Sequence, residues 1–579
     1  MDGLDLDAVP LSLPGSRLFL TAEAEGVVLH SAEYERSRTE IRLLEAVKVL
    51  APDGVARPLD QIEPGVLGWG AVTLTFAGER TLSVGTSDGA GVRLRARIPS
   101  RMGLVVQERH DGVLISTDLR VASRVWVRGA RLDGATGDLL ADGPVTIHLD
   151  EAAPAPAPAS ASSPRPDPAA HQRHLATTRA TWAEWLARCP RVREDLAPMA
   201  ALCWYVLGAN TVRLGADGGG GLGVVPALRG YAGVWQWDAY FIASGLRHGA
   251  AALAAEQLDL MLGTARPDGQ LVDVVHDDGV LASSDDLPPG DLENLRRLAS
   301  PAADPNDPVA LTKPPLAAWA LARLADGPHP PEPAWLDRQM ERVLASQRWW
   351  FATQDTDGDG LPEYTHPYSS GLDDSPVFDA AVPLTSPDLA AYLVVQDQLL
   401  ADWARRTGRT EVETECQARR TTTRAALLGL WDGTRFRARG HHGTVGTETI
   451  LELLPLFIGD LPADLTDAVV GRLGDHFATP VGVPTVATDD PDFNPDQMWR
   501  GPSWVSTSAL LALGLQASGR PDEARRVAEA TVAMVVGAGG PHEYVNPVTG
   551  DKPPRAVTAF SWSAALYVDL AVALTEGLL

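Results

Sequence analysis

Cysteine is scarce in this chain. Among 579 residues, only Cys189, Cys203 and Cys416 occur, and none of them belongs to a CxxC pair or a mixed cysteine and histidine cluster. Disulfide frameworks and structural zinc sites are normally visible as such patterns. The sequence therefore argues against both as organising features of the fold.

Positive charge and long apolar runs are also lacking. Lysine and arginine number 49 against 75 acidic residues, which leaves a net charge of −26. Such a charge repels nucleic-acid phosphates and anionic membranes. No uncharged apolar run reaches the roughly 20 residues of a membrane span, and the acidic N-terminus does not resemble a secretory signal. We expect a cytoplasmic protein with neither a nucleic-acid nor a membrane partner, and its oligomeric state stays open.

The chain changes character twice along its length. Residues 1–150 contain short β-branched runs separated by turn signals such as PDG and RHDG, a pattern typical of an antiparallel β-sandwich. Residues 151–172 are rich in proline and alanine and predict a linker. Residues 173–579 show apolar residues at helical spacing in at least nine segments. Paired helices that close into a toroid are therefore expected after the linker.

Four predicted loop segments combine aromatic and polar residues. They are Tyr231–Phe241, Ser369–Asp379, Asn494–Trp504 and Pro541–Gly550. Sugars present apolar C–H faces that stack on aromatic rings, and hydroxyl groups that need charged or amide partners. Each segment alone would more often be packing than a site, but four of them together favour carbohydrate chemistry.

The ordered motifs WQWDAYFIASGL, KPPLAAWA, SSGLDDSPVFD, SPDLAAYLV, MWRGPSW and HEYVNPVTG…FSWSAAL resemble glycoside hydrolase family 63 and the related trehalase family. The likeness spans roughly residues 175–579 and is nearest to the bacterial mannosylglycerate and glucosylglycerate hydrolases. It implies a mainly α fold, an (α/α)6 barrel preceded here by the β-sandwich. It also implies inverting hydrolysis of a small α-glucoside, α-mannoside or short oligosaccharide from its end, with a small carbohydrate as the ligand.

The resemblance assigns the catalytic roles. Asp373 corresponds to the family's general acid and Glu543 to its general base. Related chains often have DNS or DFS where this chain has DDS, so Asp374 is a departure and the alternative candidate for the acid. The same resemblance predicts a sugar-binding pocket formed by Trp235, Gln236, Trp237, Asp238, Trp499, Arg500, Gly501, Trp504, Tyr544 and Trp562. Lys313 is interpreted either as a residue at the pocket edge or as an exposed residue at the start of a helix.

The acidic run DTDGDGLPE has the spacing of a calcium loop. Asp355, Asp357, Asp359 and Glu363 occupy positions 1, 3, 5 and 9, and the Leu361 carbonyl falls at position 7. His366 stands where a bidentate glutamate is expected, so the run is not an EF-hand. A structural Ca²⁺ and a solvated acidic turn are both open, and no cofactor is expected to be required for catalysis.

Other functions on the same toroid remain to be weighed. A catalytically silent carbohydrate-binding protein would not need both carboxyl groups. A phosphorylase would replace the base by a phosphate-binding cluster, which Glu543 in its motif disfavours. An α-L-rhamnosidase would require further β domains, which a chain of this length barely accommodates. The hydrolase is the interpretation that uses all of the motifs.

Overall fold

The computed structural model describes residues 4–35, 39–86, 92–100, 104–116, 124–150, 168–214, 220–277, 279–287 and 308–579. The chain divides into two compact units. The first comprises Met1–Cys189, Trp204–Gly233 and His276–Asp278, and the second comprises Pro190–Cys203, Val234–Val275 and Gly279–Leu579. Asp373 and Glu543 both belong to the second unit.

Antiparallel strands make up most of the first unit. Up to residue 150, the described strands are β1 (Leu18–Glu23), β2 (Gly26–Ser31), β3 (Arg42–Val49), β4 (Gln61–Glu63), β5 (Val66–Trp69), β6 (Val72–Gly78), β7 (Thr81–Thr86), β8 (Arg93–Arg97), β9 (Val105–Arg109), β10 (Gly112–Ser116), β11 (Arg124–Arg128), β12 (Arg131–Leu132), β13 (Leu139–Asp142) and β14 (Val145–Asp150). They form one sheet in the order β1-β2-β3-β8-β13-β12 and another in the order β4-β5-β6-β7-β14-β11-β10-β9. The predicted antiparallel β region is confirmed.

Strand β8 illustrates why these segments form sheets. Leu94 and Ala96 are buried, whereas Arg93, Arg95 and Arg97 between and beside them are exposed. Successive side chains of a strand point to opposite faces, so this alternation places the apolar residues on one face and the cations on the other. The alternation pairs one apolar face with one solvated face, as in an antiparallel sheet.

The first helix begins inside the segment predicted as a linker. Helix α1 spans Pro168–Ala187, so residues 168–172 are helical, while residues 151–167 of that prediction lie outside the described residues. Proline is well tolerated in the first helical turn, where its missing N–H is not needed. His171 bonds the Thr73 and Ser83 hydroxyl groups, and Thr178 donates to the Phe76 carbonyl. Helix α1 therefore packs with the strands of the first unit.

Helices dominate the rest of the described chain. They are α2 (Ala197–Ala209), α3 (Gln236–Leu246), α4 (Ala251–Leu262), α5 (Ala317–Ala325), α6 (Pro333–Thr353), α7 (Pro387–Arg406), α8 (Thr410–Leu428), α9 (Ala463–His476), α10 (Val505–Ala517), α11 (Pro521–Gly537) and α12 (Ser561–Glu576). Short strands lie between them: β15 (Thr211–Arg213), β16 (Leu222–Val224), β17 (Val234–Trp235), β18 (Val274–His276), β19 (Gly279–Leu281), β20 (Leu384–Thr385), β21 (Arg439–Gly440) and β22 (Gly443–Thr444). The nine helical segments predicted from periodicity are all present.

Several helices are joined by very short connections. Helices α7 and α8 are separated by three residues, and so are α10 and α11. Gly408 and Gly519 lie in these connections with φ of +73° and +72°, the left-handed conformation with which glycine commonly ends a helix. Such short loops make consecutive helices antiparallel neighbours. Within the described ranges, no helix has both the length and the apolar character that crossing a bilayer requires.

Candidate active site

The loop that carries Asp373 is held between two short 3-10 turns, Pro367–Ser370 and Pro376–Phe378. Gly371 ends the first turn with a φ of +75°, a left-handed conformation that other residues rarely adopt. A β-carbon at Gly371 would lie 2.3 Å from the Cζ2 atom of Trp237. The glycine therefore allows the loop backbone to pack against the Trp237 ring, two residues before Asp373.

A buried lysine lies beside Asp373. Nζ of Lys313 is 3.6 Å from Oδ1 of Asp373 and 3.3 Å from Oδ1 of Asp273, and it donates a 2.6 Å hydrogen bond to the Tyr368 carbonyl. The Lys313 side chain is only 4% exposed, so the interpretation of Lys313 as an exposed residue at a helix start is wrong. The charge of the candidate acid is instead balanced by a buried cation.

Asp238 completes this charged group from the first turn of α3. Burial raises the pKa of Asp238 well above its usual range, the charge of Lys313 opposes the rise, and that of Asp273 adds to it. Burial alone would lower the pKa of Lys313, but the charges of Asp273, Asp373 and Asp238 outweigh it and the pKa is raised. One ammonium group is thus shared among three carboxyl groups.

Gln236 connects the elements that carry these charges. Its Oε1 atom accepts hydrogen bonds from the Thr312 hydroxyl at 2.9 Å and from the Lys313 backbone N–H at 3.0 Å, and its Nε2 atom donates to the Tyr240 hydroxyl at 3.1 Å. Trp235 precedes it, half-buried in β17. The amide of Gln236 is thus committed to protein partners. Sugar contacts of Trp235 and Gln236 stay predictions.

Asp373 and Asp374 have different partners. Oδ1 of Asp374 accepts a 2.8 Å hydrogen bond from the Trp499 backbone N–H, and Oδ2 accepts one of 3.2 Å from the Gln497 side chain. Burial raises the pKa of Asp374, while these two hydrogen bonds oppose the rise. Asp374 therefore ties its loop to the segment around Trp499, and Asp373 is the aspartate that lies next to Lys313.

Arg500 makes a second connection between the same two segments. Its Nη1 and Nη2 atoms bond the two carboxylate oxygens of Asp379 at 3.1 and 2.6 Å, and Nη1 also donates to the Asp374 carbonyl at 3.2 Å. A β-carbon on Gly501 would lie 2.5 Å from the Asn494 carbonyl oxygen. Gly501 thus allows a tight loop, and Arg500 anchors that loop through two hydrogen bonds to one carboxylate, an arrangement that is strong and geometrically specific. Both residues are among those predicted to line the pocket.

The predicted aromatic residues come together in one cluster. The rings of Trp499 and Trp504 stack with centroids 3.6 Å apart and an interplanar angle of 4°. Trp237 meets Trp562 edge-on at 5.1 Å, and Trp504 contacts Tyr544 at 4.8 Å. Nε1 of Trp562 is buried and has no hydrogen-bond partner among the described residues. The cluster runs from the loop of Asp373 to the segment of Glu543.

Glu543 lies beside Tyr544 at the far end of this cluster and is only 3% exposed. Its backbone N–H donates to the Val557 carbonyl at 2.9 Å, and the Val557 N–H donates to Oε2 of Glu543 at 2.9 Å. Val545 pairs with Ser503 through backbone hydrogen bonds in both directions, at 2.9 and 3.1 Å. The carboxyl group is therefore buried and oriented by the backbone on either side.

A cavity of about 420 Å³ opens beside Asp373. Its described lining comprises Pro367, Asp373, Asp374, Ser375, Phe378, Asp379, Ala380, Ala381, Val382, Pro383, Gly440, His441, His442, Gly443, Thr444 and Val445. The hairpin of β21 and β22 supplies one side, and the loop of Asp373 supplies another. This volume is suitable for a small ligand next to the candidate acid.

The acidic loop brings its aspartates together. Carboxylate oxygens of Asp355, Asp357 and Asp359 lie within 4.8 Å of one another, which is close enough to share a cation. Asp359, however, is also paired with Arg439. Glu363 is buried, and its carboxylate accepts hydrogen bonds from Thr356. Oε1 of Glu363 lies 3.0 Å from Nε2 of His441. Asp357, Glu363 and His441 form a second group of possible metal ligands. The oxygen donors suit a hard cation, but Asp355 and Asp357 accept backbone N–H groups of the loop, and Asp359 and Glu363 bond other side chains.

Sequence reasoning missed several residues of this region. Asp273 lies in the apolar run LVDVV. A single acidic residue in such a run is the sequence feature that could have indicated a buried, paired carboxylate. Burial lowers the pKa of His366 to about 3, and its Nδ1 accepts the Tyr368 N–H at 3.0 Å. Asn546 accepts two backbone N–H groups of its own turn and donates to Asp496 at 2.8 Å. The asparagine before proline is the turn signal that would have found it.

Comparison with known proteins now identifies the family. Residues 231–563, which include Asp373 and Glu543, match the family model described as the mannosylglycerate hydrolase MGH1-like glycoside hydrolase domain. The chain belongs to this family. It is a glycoside hydrolase, and the resemblance to family 63 and to its mannosylglycerate hydrolase branch is confirmed.

Curated relatives agree with this membership. A mannosylglycerate hydrolase from Rubrobacter radiotolerans is 27% identical over 60% of this chain and 92% of its own length. A glucosylglycerate hydrolase from Mycolicibacterium hassiacum is 24% identical over 58% of this chain and 92% of its own. The mannosylglycerate hydrolase MGH1 of Selaginella moellendorffii is 25% identical, with coverages of 59% and 80%. The chain therefore spans most of each relative and has a further region beyond the match.

Solved structures share the fold. The GH63 mannosylglycerate hydrolase from Thermus thermophilus in complex with glucose has a TM-score of 0.51 and 23% identity, over 64% of this chain and 98% of its own. A chain titled sialidase has a TM-score of 0.50 and 11% identity, over 96% of this chain and 54% of its own. Both likenesses concern the fold. The first agrees with the predicted trehalase-like helical architecture of the second unit.

Proposed function

We propose that this glycoside hydrolase is an inverting, exo-acting α-glycosidase. It cleaves a small α-glucoside or α-mannoside, or the end of a short oligosaccharide, with Asp373 as the general acid and Glu543 as the general base. The observation that carries the proposal is the aromatic cluster, which joins the loop of Asp373 to the segment of Glu543. The rings of the cluster are buried, so the cluster fixes the relative positions of the two segments that carry the carboxyl groups.

The chemistry follows from the two carboxyl groups. Asp373 donates its proton to the glycosidic oxygen while the bond between that oxygen and the anomeric carbon breaks. Glu543 accepts a proton from a water molecule whose oxygen forms the new bond to the same carbon. This single displacement inverts the configuration and requires the two carboxyl groups to be about 6.5–9.5 Å apart, with the water between Glu543 and the sugar.

The names of the relatives support the sugar class. They are hydrolases of mannosylglycerate and of glucosylglycerate, each of which carries one hexose on a small aglycone. In this chain Asp238 is proposed to accept hydrogen bonds from hexose hydroxyl groups. The trehalase-like helical unit is proposed to close as an (α/α)6 barrel, and the two antiparallel sheets to pack as a β-sandwich.

Substitution of the two carboxyl groups tests the mechanism. Asp373→Asn and Glu543→Gln should each lower kcat by about 10²–10⁴-fold on a cleaved α-glycoside, because each removes one proton transfer. Circular dichroism should show an unchanged fold. Asp374→Asn serves as the matched control. A larger loss of kcat in Asp374→Asn than in Asp373→Asn would make Asp374 the general acid. Near-normal turnover in Glu543→Gln would reject Glu543 as the general base.

The stereochemical outcome is a separate test. NMR of the first-formed sugar should show the β anomer released from an α-glycoside, before mutarotation mixes the two forms. Initial release of the α anomer would contradict the single displacement. Release of no sugar from any α-glucoside or α-mannoside, despite a folded protein, would reject the proposed activity and favour a silent binding protein or a different sugar such as rhamnose.

The acidic loop is proposed to hold a structural Ca²⁺. Asp355, Asp357, Asp359 and the Leu361 carbonyl would supply oxygen ligands, and Glu363 would join them by exchanging its present partners. Such an ion would neutralise the clustered charge and stiffen the loop. Ca²⁺ added to EDTA-treated protein should raise Tm, and Asp357→Asn should abolish the increase. An equal Tm with and without Ca²⁺ would favour the solvated acidic turn.

A further inference from the structure

The hairpin of β21 and β22 forms one wall of the cavity that Asp373 also lines. In the proposed reaction, Asp373 donates its proton to the oxygen of the departing group. The departing group must therefore lie beside Asp373 when the glycosidic bond breaks. A cavity lined by Asp373 and by the hairpin is suited to hold that group, because general acid and leaving group have to meet there.

The hairpin is fixed to the acidic loop and to a neighbouring strand. Strand β21 pairs with β20 in antiparallel register, and Arg439 at its start forms an ion pair with Asp359. Nε2 of His441 lies 3.0 Å from Oε1 of Glu363, which is buried. These contacts hold the backbone of the hairpin at the edge of the cavity and commit the imidazole of His441 to the acidic loop.

His442 differs from its neighbour in its contacts. It is exposed and lines the cavity, and its side chain forms no hydrogen bond or ion pair with any residue that the structure describes. A neutral imidazole carries one donor and one acceptor nitrogen, so it can bond a hydroxyl group in either direction. His442 thus places an unused hydrogen-bonding ring on the wall opposite the loop of Asp373.

The loop of Asp373 contributes a second unused polar group to the same lining. Ser375 is 1% exposed, and its Oγ atom has no hydrogen-bond partner among the described residues. A buried hydroxyl without a partner costs free energy that a bound molecule can recover. Both walls of the cavity therefore offer hydrogen bonds to a polar ligand.

From this arrangement we propose that the β21–β22 hairpin forms part of the binding site of the leaving group, and that His442 determines which leaving groups are accepted by hydrogen bonding to their hydroxyl groups. The ligand class is a hydroxyl-bearing molecule such as glycerol, glycerate or a second sugar. The inference rests on the proposed α-glycosidase activity and gives His442, which belongs to none of the sequence motifs, a role in specificity.

The test compares substrates that share the sugar and differ in the leaving group. The first is the fastest substrate of the full-length chain among the α-glucosides and α-mannosides of glycerol, glycerate and glucose. The second is the α-glycosyl fluoride of the same sugar, whose leaving group carries no hydroxyl group. Its C–F bond breaks with the electron pair going to fluoride, while the water that loses a proton to Glu543 forms the new bond to the anomeric carbon.

His442→Ala should lower the ratio of kcat/KM on the glycoside to kcat/KM on the fluoride by about fivefold, the effect of losing about one hydrogen bond. The ratio cancels general damage to the site, which would slow both substrates. His329→Ala is the matched control, because His329 is exposed between α5 and α6 and is not part of the described cavity lining. Its ratio should equal that of the unmodified chain.

The outcomes separate the inference from the activity on which it rests. An unchanged ratio in His442→Ala, or cleavage of the fluoride with none of the glycosides, would overturn the inference and leave the proposed hydrolysis intact. If the folded, unmodified chain cleaves neither the fluorides nor the glycosides, the proposed α-glycosidase activity fails and the inference falls with it.

Discussion

Replacing Lys313 by glutamine should shift the alkaline limb of the kcat/KM profile to higher pH. Asp373 must be protonated to act as the acid, so the alkaline limb of kcat/KM follows its pKa in the free enzyme. The ammonium group 3.6 Å away favours the carboxylate form of Asp373. Lys313→Gln removes that charge but keeps a donor for the Tyr368 carbonyl. The pKa of Asp373, and with it the alkaline limb, should rise.

The size of the shift can be estimated from the geometry. Unit charges at this separation interact by about 1 kcal/mol in water and by about 4–5 kcal/mol at an effective dielectric constant of 20. The Asp373 side chain is 31% exposed whereas Lys313 is 4% exposed, so a value between these limits applies. About 2 kcal/mol corresponds to an upward shift of about 1.5 pH units.

The assay is a kcat/KM profile between pH 4 and pH 10 on a cleaved α-glycoside, with unfolding followed at each pH. Lys313→Arg keeps the charge and serves as the matched control, and its alkaline limb should stay close to that of the unmodified enzyme. An alkaline limb in Lys313→Gln that is unmoved within about 0.3 units, or that moves downward, would refute the electrostatic argument. It would also indicate that another group sets that limb.

Three further predictions concern the supports of the site and the fold. Gly371→Ala should lower the free energy of unfolding by about 1–3 kcal/mol in urea denaturation, because alanine is strained at its φ and its methyl meets an indole ring. Arg500→Lys should reduce kcat about tenfold with little change in Tm, since lysine cannot bind Asp379 through two nitrogens; unchanged kinetics would contradict this. Hydrogen bonding to Arg348 lowers the pKa of Glu415 to about 2, so this carboxylate stabilises the fold above pH 4.5 and loses that effect as pH falls towards 2. Glu415→Gln should therefore lower Tm at pH 7 but not at pH 2, and an equal loss at both would argue against it.

Periodicity predicted most helices but not those without a polar face. All eleven residues of α3 are buried, so its sequence has no alternation between apolar and polar sides. The prediction of a loop over Tyr231–Phe241 is therefore wrong from Gln236 onward. Helix α2 has the same apolar character, and α9 contains two glycines. A helix that is buried on every side lacks the amphipathic signal on which such reasoning depends.

The motifs located the site but not its internal connections. Asp373 and Asp374 are neighbours in sequence, and their different partners, Lys313 and Trp499, lie 60 and 125 residues away. Burial of Lys313 could not be foreseen, because a lysine is normally exposed unless it is paired, and its partner Asp273 stood in no motif. The partners of Asp373 and Asp374 and the burial of Lys313 depend on contacts between residues that are distant in sequence. A local sequence motif does not indicate such contacts.

The double connection between the loop of Asp373 and the segment around Arg500 has a consequence for engineering. Asp374 binds Trp499, and Asp379 binds Arg500, so the two segments behave as one exchangeable module. Transplanting either segment alone from a relative would leave a carboxylate or a guanidinium without its counterpart. Chimeras that alter substrate choice should therefore carry both segments from the same parent, and natural variants are expected to change Asp374 and Gln497, or Asp379 and Arg500, as pairs.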